Sequence, residues 1–178
     1  MSFATKQLGT FPDAIAPDGS EVRVLCSTSR GSLAHFTLPP HAVSMAMAHH
    51  TVEEVWYFVS GRGQMWRRSH QHEEIVDLEP GLAITIPPET CFQFRSVSPE
   101  PLTAVGTTMP PWPGESEAFA VEGIWASTVR RLRDNPAVAS APDGERQGRT
   151  RVSDPDNTLP TQRFHSDSGQ TEPLSVAL

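Results

Sequence analysis

The sequence predicts an all-β fold of the antiparallel sandwich or barrel kind, and three observations predict it. Between residues 21 and 109, short runs rich in β-branched and aromatic residues recur about every 8–12 positions, the spacing of strands in such folds. Turn-forming residues separate the runs. Helical periodicity is sustained nowhere in the same stretch. Seventeen prolines and twelve glycines in 178 residues supply the turns.

The expected strands follow in order. Glu21–Cys26 starts after Pro17-Asp18-Gly19-Ser20, and Ser32–Leu38 lies between Arg30-Gly31 and Pro39-Pro40. Val43–Ala48 comes next, then Glu53–Ser60, closed by Gly61-Arg62-Gly63. Gln64–Ser69 and Glu73–Leu78 precede Pro80-Gly81, Leu82–Ile86 stops at Pro87-Pro88, and Cys91–Val97 and Leu102–Met109 flank Pro99. Met109-Pro110-Pro111-Trp112-Pro113-Gly114 ends the regular pattern. Glu117–Trp125 is expected to add an edge strand or closing turn, with Trp112 and Trp125 plugging the rim. A short helix is expected over residues 127–135. Beyond Pro136 the chain is rich in Pro, Ser, Asp, Arg and Gln, with Phe164 as its lone aromatic residue. Such a segment buries too little apolar surface to offset its ordering entropy, so it is expected to be disordered. The expected organisation is an N-terminal arm (1–20), a β-barrel domain (21–128), and a short helix followed by a polar tail (129–178).

Composition excludes several classes. A net charge of −7 argues against a general binder of nucleic acid or anionic membrane. Arg130, Arg131 and Arg133 form too small a basic cluster to reverse it. No run approaches the roughly 20 apolar residues of a membrane helix. The first ten residues lack a signal-peptide pattern, and Cys26 and Cys91 make no disulfide framework. A cytoplasmic protein is expected.

The chemistry concentrates in His49-His50-Thr51-Val52-Glu53-Glu54. Inward residues recur every second position on a strand, so adjacent histidines point to opposite faces and only one reaches an interior unless a bulge intervenes. Glu53 and Glu54 pose the same choice. Imidazole and carboxylate together suit iron, manganese, nickel or zinc, and a catalytic site needs about three protein ligands. Cys91 offers a further donor in thiolate form, or is simply a small apolar residue. His35, on a neighbouring strand, is a candidate second proton carrier or a structural histidine. Trp66, Gln64, Gln93, Arg95 and Phe92 are candidate pocket walls, with Arg95 able to grip a carboxylate through two hydrogen bonds. Facing outward, Gln64, Gln93 and Arg95 are ordinary surface, and Trp66 is ordinary core.

The spacing Glu54-x6-Gly61 resembles the first motif of the cupin superfamily, Gly-x5-His-x-His-x3,4-Glu-x6-Gly. Gly81-x5-Pro87 resembles the start of the second, Gly-x5-Pro-x-Gly-x2-His-x3-Asn, whose later positions are Glu89, Phe92 and Ser96 here. Gly31 to Pro40, Thr51 to Gly63, Met65-Trp66-Arg67 and Met109 to Glu115 are similar to a group of small bacterial single-domain cupins. The resemblance implies a double-stranded β-helix, or jelly-roll, barrel. It also implies a metal site that is degenerate here. With a three-residue spacer His50 is the second histidine and Ala48 replaces the first. With a four-residue spacer these are His49 and Met47. Phe92 fills the ligand position of the second motif, and the narrower likeness favours His49 and His35.

Three readings follow. The first is a small-molecule enzyme performing non-redox acid–base chemistry (isomerisation, elimination or cyclisation), with His49 or His50, Glu54 and His35 as proton carriers and no tightly bound metal. The second is a metal-dependent dioxygenase or isomerase using iron, manganese or zinc, its ligands His49, His50 and Glu54 completed by Cys91 or His35. The third is a binding module that catalyses nothing. A homodimer is expected, because exposed sheet edges in small barrels need covering.

Overall fold

A computed structural model describes residues 3–129. The expected short helix and polar tail, and the three arginines after residue 129, lie outside the described residues apart from Ser127–Val129. Eleven strands occur: β1 (Ala14–Ile15), β2 (Glu21–Ser27), β3 (Ser32–Leu38), β4 (Met47–His49), β5 (Glu53–Ser60), β6 (Gly63–Arg68), β7 (Glu73–Leu78), β8 (Ala83–Ile86), β9 (Cys91–Ser96), β10 (Leu102–Met109) and β11 (Ala118–Ala120). One turn of 3₁₀-helix, Glu115–Glu117, is the sole helical element among the described residues. No described helix is long and apolar enough to cross a membrane.

The strands form a six-stranded sheet, β1-β2-β3-β10-β5-β8, and a five-stranded sheet, β11-β4-β9-β6-β7, antiparallel throughout. Alternation builds the core between them. On β5, Glu54, Trp56 and Phe58 are buried while Glu53, Val55 and Tyr57 are exposed. Met65, Ile84, Phe92, Phe94 and Ala104 join Trp56 and Phe58 in one apolar cluster. Phe36 of β3 stacks on Trp56 at 4.7 Å between centroids, an arrangement that adds to the area each ring buries. Gly106 of β10 lies under that stack. A Cβ there would stand 2.8 Å from Phe36 Cε2 and 3.0 Å from Trp56 Nε1, so glycine is what lets the rings meet.

Two expected elements differ. The run Val43–Ala48 was expected as one strand, yet β4 spans only Met47–His49. The preceding backbone finds other partners: Ser44 N–H donates to Phe94 O, and Met45 N–H donates to Asp18 O. The N-terminal arm also contributes to a sheet, with Ala14 and Ile15 pairing with Val22 and Glu21.

The turn after β5 requires glycine. Gly61 has φ +77°, and a Cβ there would meet Pro101 O at 2.4 Å and Leu102 Cα at 2.8 Å. Both contacts are backbone and cannot swing aside. Gly61→Ala is therefore expected to destabilise the fold by about 1–3 kcal/mol, readable as a lower urea midpoint with an unchanged slope.

Candidate functional site

A cavity of about 350 Å³ opens between the two sheets, within the size range of small-molecule sites. The large sheet contributes Val22, Val24, Ala34, Phe36, Glu54 and Trp56, and the small sheet contributes Met47, His49, Phe92 and Ala118. The arm closes one side with Ala14 to Asp18, and Pro111, Trp112 and Glu115 close another.

Strand parity decides which nominated residues face this space. His49 lines it and His50 does not: His50 is exposed and stacks on Phe119 at 4.5 Å. His49 Nδ1 lies 3.9 Å from Glu54 Oε2, both side chains almost fully buried. The imidazole is held edge-on between Phe92 and Trp112, each at 5.2 Å. Its Nδ1 is buried and has no hydrogen-bond partner. Glu54 Oε2 accepts a 3.0 Å bond from Trp56 Nε1.

The turn carrying His49 is clasped from outside β5. Glu117 accepts bonds from the backbone N–H of Thr51 (2.6 Å) and Val52 (2.7 Å), and from the Thr51 hydroxyl. Its own carbonyl takes the His50 N–H at 3.1 Å. Burial alone would raise the Glu117 carboxyl, but these donors outweigh it and hold the group below the ordinary carboxylate range.

The other nominated side chains do not reach the cavity. Met65, Phe92 and Phe94 take the inward positions of β6 and β9, so Gln64, Trp66, Cys91, Gln93 and Arg95 fall on the opposite face of the small sheet. There Arg95 lies over the Trp125 ring at 4.4 Å and donates from Nε to Gln64 at 3.1 Å. Gln64 donates to Asp77 at 2.9 Å, and Trp66 Nε1 donates to Glu73 at 2.7 Å. Gln93 is bonded to four backbone groups. His35 alternates with Ala34 and Phe36, which line the cavity, so it faces away beside Arg23. Burial first, and Arg23 second, push its pKa down. Of the pocket-wall candidates, Phe92 alone lines the cavity.

Asp18 is the participant that sequence reasoning missed. Pro17-Asp18-Gly19-Ser20 reads as a surface turn, and Asp18 does accept bonds from Ser20 N–H (2.8 Å) and Ser20 Oγ (2.6 Å) in that role. It is nevertheless buried in the cavity wall, because the arm folds back to make β1. No local signal distinguishes such a turn from an exposed one.

Burial sets the protonation states. It pushes the Glu54 carboxyl up to about 8, the Trp56 N–H opposing and the nearby Asp18 adding to the rise. It pushes His49 down to about 4, partly offset by Glu117. Near neutrality the pair is therefore a neutral acid beside a neutral base rather than an ion pair. Stability should follow. The raised Glu54 stabilises fully below its unfolded value of 4.5, and this is lost as pH rises towards about 8. The lowered His49 stabilises fully above 6.5, and this is lost as pH falls towards about 4. Asp18, also raised by burial, acts in the same direction as Glu54. A melting-temperature series should fall on both sides of the mildly acidic range, with Glu54→Gln flattening the fall above pH 6.5.

Residues 34–107 match the family model described as "Cupin domain". Residues 34–107 form a cupin domain within the barrel. An uncharacterized protein of Methanocaldococcus jannaschii, MJ1618, is 29% identical over 106 residues, which is 57% of this chain and 82% of that protein. Among solved structures, oxalate decarboxylase from Bacillus subtilis superposes with a TM-score of 0.51 at 18% identity, over 60% of this chain and 29% of that one. The capsular polysaccharide assembling protein CapF from Staphylococcus aureus does so at 0.51 and 17%, over 58% and 32%. The match thus spans about a third of each of these two longer chains, and at these identities the likeness is one of fold.

The metal that cupin motifs imply does not fit the donors. The motif positions Met47, His49, Glu54 and Phe92 do converge on the cavity wall, and Met47 pairs with Phe92 across β4 and β9. Two of the four are apolar. Among the described residues, no group of three or more His, Cys, Asp or Glu side chains stands close enough to share an ion. A catalytic metal needs about three protein ligands.

Proposed function

We propose that this cupin domain is a small-molecule enzyme performing non-redox acid–base chemistry, of the kind used in isomerisation, elimination or cyclisation. The observation that carries the reading is the His49–Glu54 pair, 3.9 Å apart in a largely apolar cavity. His49, neutral, accepts a proton from the substrate, and Glu54, protonated, donates one. Two groups with pKa values pushed apart by burial can work as base and acid at one pH. The apolar wall of Phe36, Trp56, Phe92 and Trp112 excludes water that would compete for either proton.

The test is exchange in deuterated water. Small carbonyl compounds are first screened for those that raise the melting temperature, and proton NMR then follows deuterium entering the binders. Wash-in by the native protein, lost in His49→Gln and Glu54→Gln, is expected. Binders recovered without deuterium and unchanged would favour a binding module and overturn the catalytic reading.

A further inference from the structure

The charge of the cavity wall restricts what the proposed active site accepts. Among the described residues, no lysine or arginine lines it, whereas Asp18, Glu54 and Glu115 do. The nearby guanidinium groups are committed elsewhere. Arg23 donates to Gly9 O, Thr10 O and Thr37, and Arg67 pairs with Glu74 and reaches Thr85 O. Arg95, the residue expected to grip a carboxylate, is stacked on Trp125 behind the small sheet.

An anion entering this space would lose its hydration and find no lysine or arginine to replace it, which is a costly combination. A cation fares little better, since Asp18 is already bonded to Ser20 and Glu54 to Trp56, while Glu115 is exposed to solvent. What the wall does offer is apolar surface, the rings of Phe92 and Trp112, and the imidazole of His49. We infer that the ligand of this cavity is an uncharged, largely apolar molecule that presents a single polar group to His49, and that the site rejects carboxylates and phosphates. This deepens the reading of the cavity as a small-molecule site and narrows its substrate class.

The test uses the full chain at pH 7 and matched triplets: phenylacetamide, phenylacetate and phenethylamine, with the three corresponding naphthyl compounds. Binding is followed by saturation-transfer NMR, and its location by the indole N–H signals of Trp56 and Trp112. The amides are expected to bind about tenfold or more tighter than the carboxylates and amines, and to shift those two indole signals. Equal or tighter binding of the charged members overturns the inference, as does binding by none of the six or binding that leaves both indoles unmoved. The deuterium experiment is independent of this one: a neutral ligand can be preferred without turnover, and turnover can be found for a charged one.

Discussion

His49→Gln and Glu54→Gln are each expected to lower turnover by about 10²–10⁴-fold, the usual worth of a positioned acid or base. Glutamine keeps a polar group of similar reach at both positions but cannot exchange a proton near neutral pH. The loss should therefore appear in kcat rather than in binding of a neutral ligand. The pH profile separates the two roles. The base must be unprotonated, so activity should rise as pH climbs through the His49 value of about 4. The acid must be protonated, so activity should fall as pH climbs through the Glu54 value of about 8. The native profile is then a bell between these limits. In His49→Gln the residual activity should lose the acid limb, and in Glu54→Gln the alkaline limb. His50→Ala is the control, because its ring stacks on Phe119 outside the cavity. Equal losses in His49→Gln and His50→Ala would sink the assignment.

The fold was legible because local pattern and global packing agree. Period-two alternation in β5 and β10 and Gly-Pro turns between strands both say all-β, and the glycine at Gly61 stands where the chain turns with positive φ. The adjacent histidines were half legible. Alternation says that one faces in, and which one depends on where the strand ends. The pairing of Met47 with the inward Phe92 of β9 settles it, placing Met47 and His49 on the cavity side. The polar residues of β6 and β9 were misleading for a physical reason. Polar side chains inside apolar strands signal either an interior ligand site or a second covered face, and the two have the same periodicity. Only the path of residues 121–126 across the outer face of the small sheet distinguishes them, and that path is a tertiary fact.

Gln93 makes this distinction measurable, since a ligand-binding glutamine and a structural one respond differently to removal. The side chain is 1% exposed, although it lies on the outer face of β9. Its amide donates to Ser44 O at 2.9 Å and Trp125 O at 2.8 Å, and its oxygen accepts from Ile124 N–H and Trp125 N–H, both at 3.0 Å. All four hydrogen-bonding capacities of the glutamine are thus used on backbone. Gly123 lies so close that a Cβ there would stand 2.4 Å from Gln93 Oε1. Gln93→Leu would leave two carbonyls and two N–H groups without partners, each costing about 1–3 kcal/mol if it stays buried. Part of that cost is recovered when the segment lifts and water reaches the backbone. A loss of about 3–5 kcal/mol in unfolding free energy is expected. Hydrogen exchange should locate it, with the amides of Ile124 and Trp125 exchanging faster while those of β5 and β10 change only with the global stability. The cavity lies on the other side of the small sheet, so ligand affinity measured below the new melting temperature should change by less than threefold. A large loss of affinity with unchanged stability would return Gln93 to the ligand.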